Sequence, residues 1–165
     1  MKLLTVSALL CGLFALTAAV EELEDVVKRT SPPFCTESSK LQQRVFIFVD
    51  KKLTWAEAES NCVSMGGHLA SVHSLATHNL VRRLIKRRAN RNSNAWIGGS
   101  DQSWESVWQW TDGTCFHYNK WLTGQPNNSG NQDCLQISLN GWEDRRCSCR
   151  QPSVCALVLF YPLVR

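Results

Sequence analysis

The residues best suited to chemistry in this 165-residue chain lie between Gln125 and Asp144. Gln125-Pro126-Asn127, Gln132-Asp133 and Glu143-Asp144 bring amide and carboxylate oxygens into one short stretch, bracketed by Cys134 and Cys147, with a proline where the backbone must turn. Oxygens of this kind suit a hard cation: Ca2+ takes about six to eight oxygen ligands, whereas zinc prefers thiolates and imidazoles. Cys147-Ser148-Cys149 has a tighter gap than common zinc sites and no following Cys or His pair. His68, His73, His78 and His117 have no nucleophile or acid partner in a motif context, so the chain reads as a binding protein and not an enzyme.

The surroundings of this stretch point to an oxidising compartment. Lys2 followed by an apolar run from Leu3 to Leu16 and the small residues Thr17-Ala18-Ala19 reads as a signal peptide over residues 1–19, too short for a membrane anchor. The predicted location is extracellular, with no transmembrane span. Residues 20–34 form an acidic segment that closes on Lys28-Arg29 and a proline pair, either a removable pro-segment or an N-terminal tail. Loss of Cys11 with the leader leaves Cys35, Cys62, Cys115, Cys134, Cys147, Cys149 and Cys155, an odd set that implies disulfides plus one thiol left free or paired between chains. The formal net charge of +4 favours anionic partners weakly.

The elements that must position the stretch alternate in type. Arg44 to Val49 is a β-branched and aromatic run, the best strand signal in the first third. Thr54 with Glu57 predicts a capping box opening a helix that presents Trp55, Ala58 and Cys62 on one face and stops at Gly66-Gly67. His68 to Val72 reads as a short strand. Ser74 caps a second helix, about Leu75 to Arg88, with Val81, Leu84 and Ile85 inward. Arg82, Arg83, Lys86, Arg87 and Arg88, extended by Arg91, form either a solvated face or a patch for an anionic surface. Trp96 to Gly99, Val107 to Trp110, an alternating Leu135 to Leu139 and Val154 to Leu159 read as strands, and most tryptophans as core aromatics.

From about Cys35 to Ala156 the chain resembles a C-type lectin-like domain, most closely fish secreted lectins and the lectin-derived type II antifreeze proteins, and residues 35–165 are read as that domain. The resemblance rests on Trp55 and Ala58, Cys62, His68-Leu69-Ala70-Ser71, Trp96-Ile97-Gly98-Gly99, Trp108 and Trp110, Asp112-Gly113, Trp121, Gln125-Pro126-Asn127, Asp133-Cys134, Trp142-Glu143-Asp144 and the spacing of Cys147 to Cys155. It implies an α+β fold in which two helices flank antiparallel sheets, with a long loop region pinned by disulfides. It also implies Cys62–Cys155 and Cys134–Cys147 bonds. Cys115 and Cys149 are additional to the family pattern and are read as a possible pair; Val45 stands where a partner for Cys35 belongs, leaving Cys35 as the odd thiol and a homodimer bridge.

The same resemblance assigns Gln125, Asn127, Gln132, Glu143 and Asp144 as ligands of Ca2+ and of two vicinal sugar hydroxyls, in a protein that binds glycans on microbial or host surfaces. Gln-Pro-Asn is a hybrid of the mannose-type and galactose-type triplets. Gln132 and Glu143 replace the usual Glu and Asn, so the set carries less negative charge than is common and should hold calcium weakly. Asp101, Glu105, Asn128 and Asp133 match an auxiliary calcium site of some relatives, or form a solvated acidic loop. Asn127-Asn128-Ser129 is a glycosylation sequon whose occupation would block the site. The alternatives to a calcium-dependent lectin are a calcium-independent lectin-like interaction protein and an ice-binding protein.

Overall fold

The apolar run from Arg44 opens strand β1 (Arg44–Leu53), which continues beyond Val49 through the exposed Asp50-Lys51-Lys52. Its ladder is irregular between Val49 and Leu53, and the buried Leu53 rejoins it. The computed structural model describes Cys35 and residues 43–89 and 93–159. The leader, the acidic segment, Arg91 and the end of the C-terminal tail lie outside the described residues.

Helix α1 (Trp55–Ser64) begins as its sequence dictates: the Thr54 hydroxyl accepts from the Glu57 amide, and the Glu57 carboxylate accepts from the Thr54 amide at 2.9 Å. Trp55, Ala58 and Cys62 are its buried face. Gly66, at φ +85°, ends the helical turn in a conformation that suits glycine. Strand β2 (Gly67–Leu69) is shorter than the expected His68 to Val72 because Ala70 leaves the ladder to bridge two strands. Its N–H donates to Val154 O at 2.8 Å while its carbonyl accepts from Gly98 at 3.0 Å.

Ser74 caps helix α2 (Leu75–Arg88), whose buried residues are His78, Val81, Arg82 and Ile85. Burial of Arg82 corrects its expected place on a basic outer face. It stands one turn from His78, on the edge of the apolar stripe, where its long stem packs; burial lowers the guanidinium pKa, and Nη1 has no partner. Arg83, Lys86, Arg87 and Arg88 are exposed.

The remaining strands are β3 (Ala95–Ser100), β4 (Gln109–Trp110), β5 (Cys134–Ile137), β6 (Trp142–Arg145) and β7 (Gln151–Val158). They join one sheet in the order β1-β7-β3-β5-β6, with β2 beside β7 and β4 beside β3. The β3–β7 contact is parallel and the others are antiparallel, so the α+β fold has a mixed sheet. Every residue of β5 is buried, where alternation was expected, because a core lies on each side. Leu135 and Ile137 join one cluster with Trp110, Trp142 and Val154; Cys134 joins the other with Trp55, Trp96, Cys62 and Cys155. Two buried indoles in the second cluster are satisfied by backbone carbonyls, Trp55 by Ile97 and Trp96 by Leu53, each at 3.0 Å.

Cys62–Cys155 ties α1 to β7, and Cys134–Cys147 closes β5 onto the segment after β6. The other cysteines differ from expectation. Cys35 and Cys115 are each disulfide-bonded, and among the described residues the free thiol is Cys149, so neither a Cys115–Cys149 bond nor an unpaired Cys35 available for a homodimer bridge is present. Cys149 sits half-buried in a tight turn, its amide donating to Arg146 O at 3.0 Å.

Trp142 Nε1 donates to His78 Nδ1 at 3.0 Å, which requires neutral imidazole with its proton on Nε2. Burial, then the positive charges of Arg82 and Lys120, hold its pKa below the ordinary 6.5. Stability from this contact is therefore complete above the unfolded value and declines as pH falls through it toward the folded value. His73, lowered mainly by burial, acts in the same direction. The expected result is a lower thermal midpoint at pH 5 than at pH 7.5, and a smaller difference in His78→Gln, which keeps an acceptor but cannot titrate. An equal pH response in both proteins would remove His78 from this role.

Candidate functional site

Trp142 fixes the base of the long loop. Its N–H donates to Lys120 O at 2.8 Å and its carbonyl accepts from Leu122 at 2.9 Å, so the segment leading into the loop is tied to the first residue of β6. Trp108, Trp110, Phe116, Tyr118 and Trp121 pack around this point at ring separations of 4.8–6.3 Å. Beyond it the chain turns through Gly124, a cis Gln125-Pro126 bond, Asn128, Gly130 and Asn131, with Gly124, Asn128, Gly130 and Asn131 all at positive φ.

Asp144 organises the loop. Only 3% exposed, it accepts through Oδ2 from the amides of Asn127 at 2.9 Å and Asn128 at 2.5 Å. Asn128 Oδ1 in turn accepts from the Gln132 amide at 2.9 Å, and Arg146 reaches across to Gly130 O at 3.0 Å. Asp144, Asn127, Asn128 and Gln132 are thus brought into one hydrogen-bonded unit. Asn127 turns its carboxamide back on the loop, where Oδ1 accepts from Ser129 N. Glu143, the neighbouring residue on β6, is approached by Asn94 Nδ2 at 3.5 Å. Asn94, just ahead of β3, is absent from the sequence-derived set; nothing in its local sequence marks it.

Three oxygens in this arrangement are buried without a hydrogen-bond donor: Gln125 Oε1, Gln132 Oε1 and Asp144 Oδ1. Buried acceptors without partners are costly, and all three belong to the residues expected to hold calcium. The donor set fits a hard, oxygen-preferring cation. Among the described residues no three His, Cys, Asp or Glu side chains form a metal cluster, so the set depends on amide oxygens beside two carboxylates.

The auxiliary residues are arranged differently. Asp101 is 5% exposed, accepts from Ser106 N at 2.9 Å through Oδ2, and leaves Oδ1 unpartnered. Burial raises its pKa, with Glu105 and Asp133 adding to the effect. The Asp101 amide donates to Asp133 O at 3.2 Å, and Asn131 holds the Asp133 carboxylate at 2.9 Å, while Glu105 is exposed and Asn128 serves the main loop.

A second polar constellation emerges only in three dimensions. Ser71 donates to Asp112 and meets His73 Nε2 at 3.0 Å, with Arg44 at 2.6 Å from the same hydroxyl and Thr114 at 3.1 Å from His73. Ser71 has no exposed surface, and its hydroxyl bonds the carboxylate directly, so this group braces β1 against the Asp112 turn and cannot present a nucleophile.

The Lectin C-type domain family model matches residues 51–157. Ladderlectin of Oncorhynchus mykiss is 35% identical over 93% of this chain and 92% of its own length. A type-2 ice-structuring protein of Hemitripterus americanus is 32% identical over 94% and 99%, respectively. The structure of herring type II antifreeze protein superposes with a TM-score of 0.66 at 30% identity, covering 79% of this chain and all of the other.

Proposed function

The chain belongs to the C-type lectin domain family, and from that membership we propose that it is a secreted carbohydrate-binding lectin whose long loop holds Ca2+ through Gln125, Asn127, Gln132, Glu143 and Asp144. The observation that carries this reading is the set of three donorless buried oxygens on Gln125, Gln132 and Asp144. When bound, the cation supplies a Lewis-acid centre for two vicinal sugar hydroxyls. The carboxylates of Glu143 and Asp144 accept hydroxyl protons, and the amide groups of Gln125 and Asn127 donate to hydroxyl oxygens, so each hydroxyl is satisfied on both sides. Glycans on microbial or host surfaces are the proposed partners. Secretion is supported by the Cys62–Cys155 and Cys134–Cys147 bonds, which persist in oxidising compartments. Among the described residues no helix is long and apolar enough to cross a membrane.

Passage over mannose and galactose matrices in calcium, followed by elution with a chelator, tests the reading. Retention on either matrix and release by chelation is the expected result; retention indifferent to calcium would overturn the calcium-dependent site. A second reading, ice binding, is favoured by similarity to the type-2 ice-structuring protein over almost the whole chain. Thermal hysteresis in a chain that ignores both sugars would support it.

A further inference from the structure

Lys52 near the end of β1, Arg88 in the last turn of α2 and Arg150 just ahead of β7 line one surface cleft of about 550 Å³. Asp50 is the single carboxylate among its lining residues, so the three cations leave the wall with a positive excess. The side chains of Lys52 and Arg88 have no ion-pair or hydrogen-bond partner among the described residues. Arg150 is held in place by Glu57 at 3.0 Å, an exposed pair that orients the guanidinium without burying it. Gln151, in the same wall, keeps a buried Nε2 with no acceptor, and Asn94 lines the cleft with an amide that already approaches Glu143 at 3.5 Å.

Cations brought from separate elements to one concavity repel each other, and a buried amide donor without an acceptor adds a desolvation cost. An anion with several acceptor oxygens relieves both. A carboxylate offers two oxygens in a plane, whereas an esterified sulfate or phosphate offers three free oxygens to donors arriving from different directions. We infer that this cleft binds a tetrahedral oxyanion, a sulfate or phosphate group carried as an ester on a sugar. It is distinct from the exposed helix face of Arg83, Lys86 and Arg87, none of which lines it, and its charge requires no cation in the long loop.

The test is calorimetric titration of the full chain with galactose 6-sulfate, galactose 6-phosphate, unesterified galactose, and inorganic sulfate and phosphate. EDTA throughout makes the outcome independent of calcium in the loop. Saturable one-site binding of an ester is expected, with no binding of galactose. Arg88→Ala, Lys52→Ala and the uncharged change Gln151→Leu should each weaken it by about tenfold, the scale of one lost hydrogen bond to a charged group. Arg83→Ala, which removes the same charge outside the cleft, should leave it unchanged. Thermal midpoints of all variants confirm folding, and Lys52→Ala probes the cleft without altering β7. Equal binding of inorganic phosphate keeps the site and assigns it to the free ion. Absence of saturable binding by all the anions, or equal losses in Arg83→Ala and Arg88→Ala, would overturn the inference.

Discussion

Asp144→Asn is expected to abolish chelator-sensitive sugar retention and to lower calcium affinity by roughly a hundredfold or more, since affinity follows the charge and rigidity of the ligand set. The carboxylate has two separate tasks. Oδ2 holds the Asn127 and Asn128 amides, and Oδ1 is left without a donor. An asparagine that keeps its oxygen on the loop amides presents an NH2 group where the cation needs an acceptor, and it halves the formal charge contributed by Glu143 and Asp144. Loss of the charge-assisted contacts should also cost about 1–3 kcal/mol of stability. The variant should still fold, because the tryptophan cluster and the Cys62–Cys155 and Cys134–Cys147 bonds lie outside this change. Column retention and a urea melt check the two effects separately. Undiminished chelator-sensitive retention would refute the ligand assignment.

The largest stability effect is expected at Cys62–Cys155. This bond spans a sequence separation of 93 residues, against 13 for Cys134–Cys147. Loop-closure entropy in the unfolded chain then gives about 4–5 kcal/mol for the first and about 3 kcal/mol for the second. Replacing the first pair by alanine should leave little folded protein at 37 °C. Replacing the second should preserve the sheet but loosen the site, since Cys134 opens β5 beside Asp133 and the Cys147 carbonyl accepts from the Trp55 amide at the start of α1. Urea midpoints compared with chelator-sensitive retention distinguish these outcomes: the second variant should lose more binding per unit of stability lost. Equal destabilisation by the two replacements would contradict the entropic ordering.

Features fixed by local chemistry were legible in the sequence. Thr54 with Glu57, Ser74 and Gly66 set the ends of two helices because each acts through its own neighbours. Long-range features were less legible. The basic residues of α2 read as a solvated face or an anion-binding patch, both outward, but Arg82 is buried on the edge of the apolar stripe. Alternation failed in β5 because cores cover both its faces, which no single strand reports. Among the described residues the free thiol is Cys149, and cysteine spacing could not decide that, since connectivity depends on which Cα atoms the fold brings close.

The candidate site divides in the same way. Gln125, Asn127, Gln132, Glu143 and Asp144 were singled out by residue type and resemblance, yet their unequal roles come from contacts made by folding. Asp144 spends one oxygen on the loop backbone, Asn127 bonds within its own turn, and Glu143 is approached by Asn94 from the start of β3. The buried oxygens that make the cation reading specific arise only from this three-dimensional arrangement.

Equilibrium dialysis of the purified chain against calcium reads the proposed cation site without involving a sugar. Saturable binding is expected, weak because only two carboxylates contribute, lost in Asp144→Asn and retained in Arg83→Ala. Absence of saturable calcium binding by the unaltered chain, up to millimolar concentrations typical of weak extracellular sites, would contradict it.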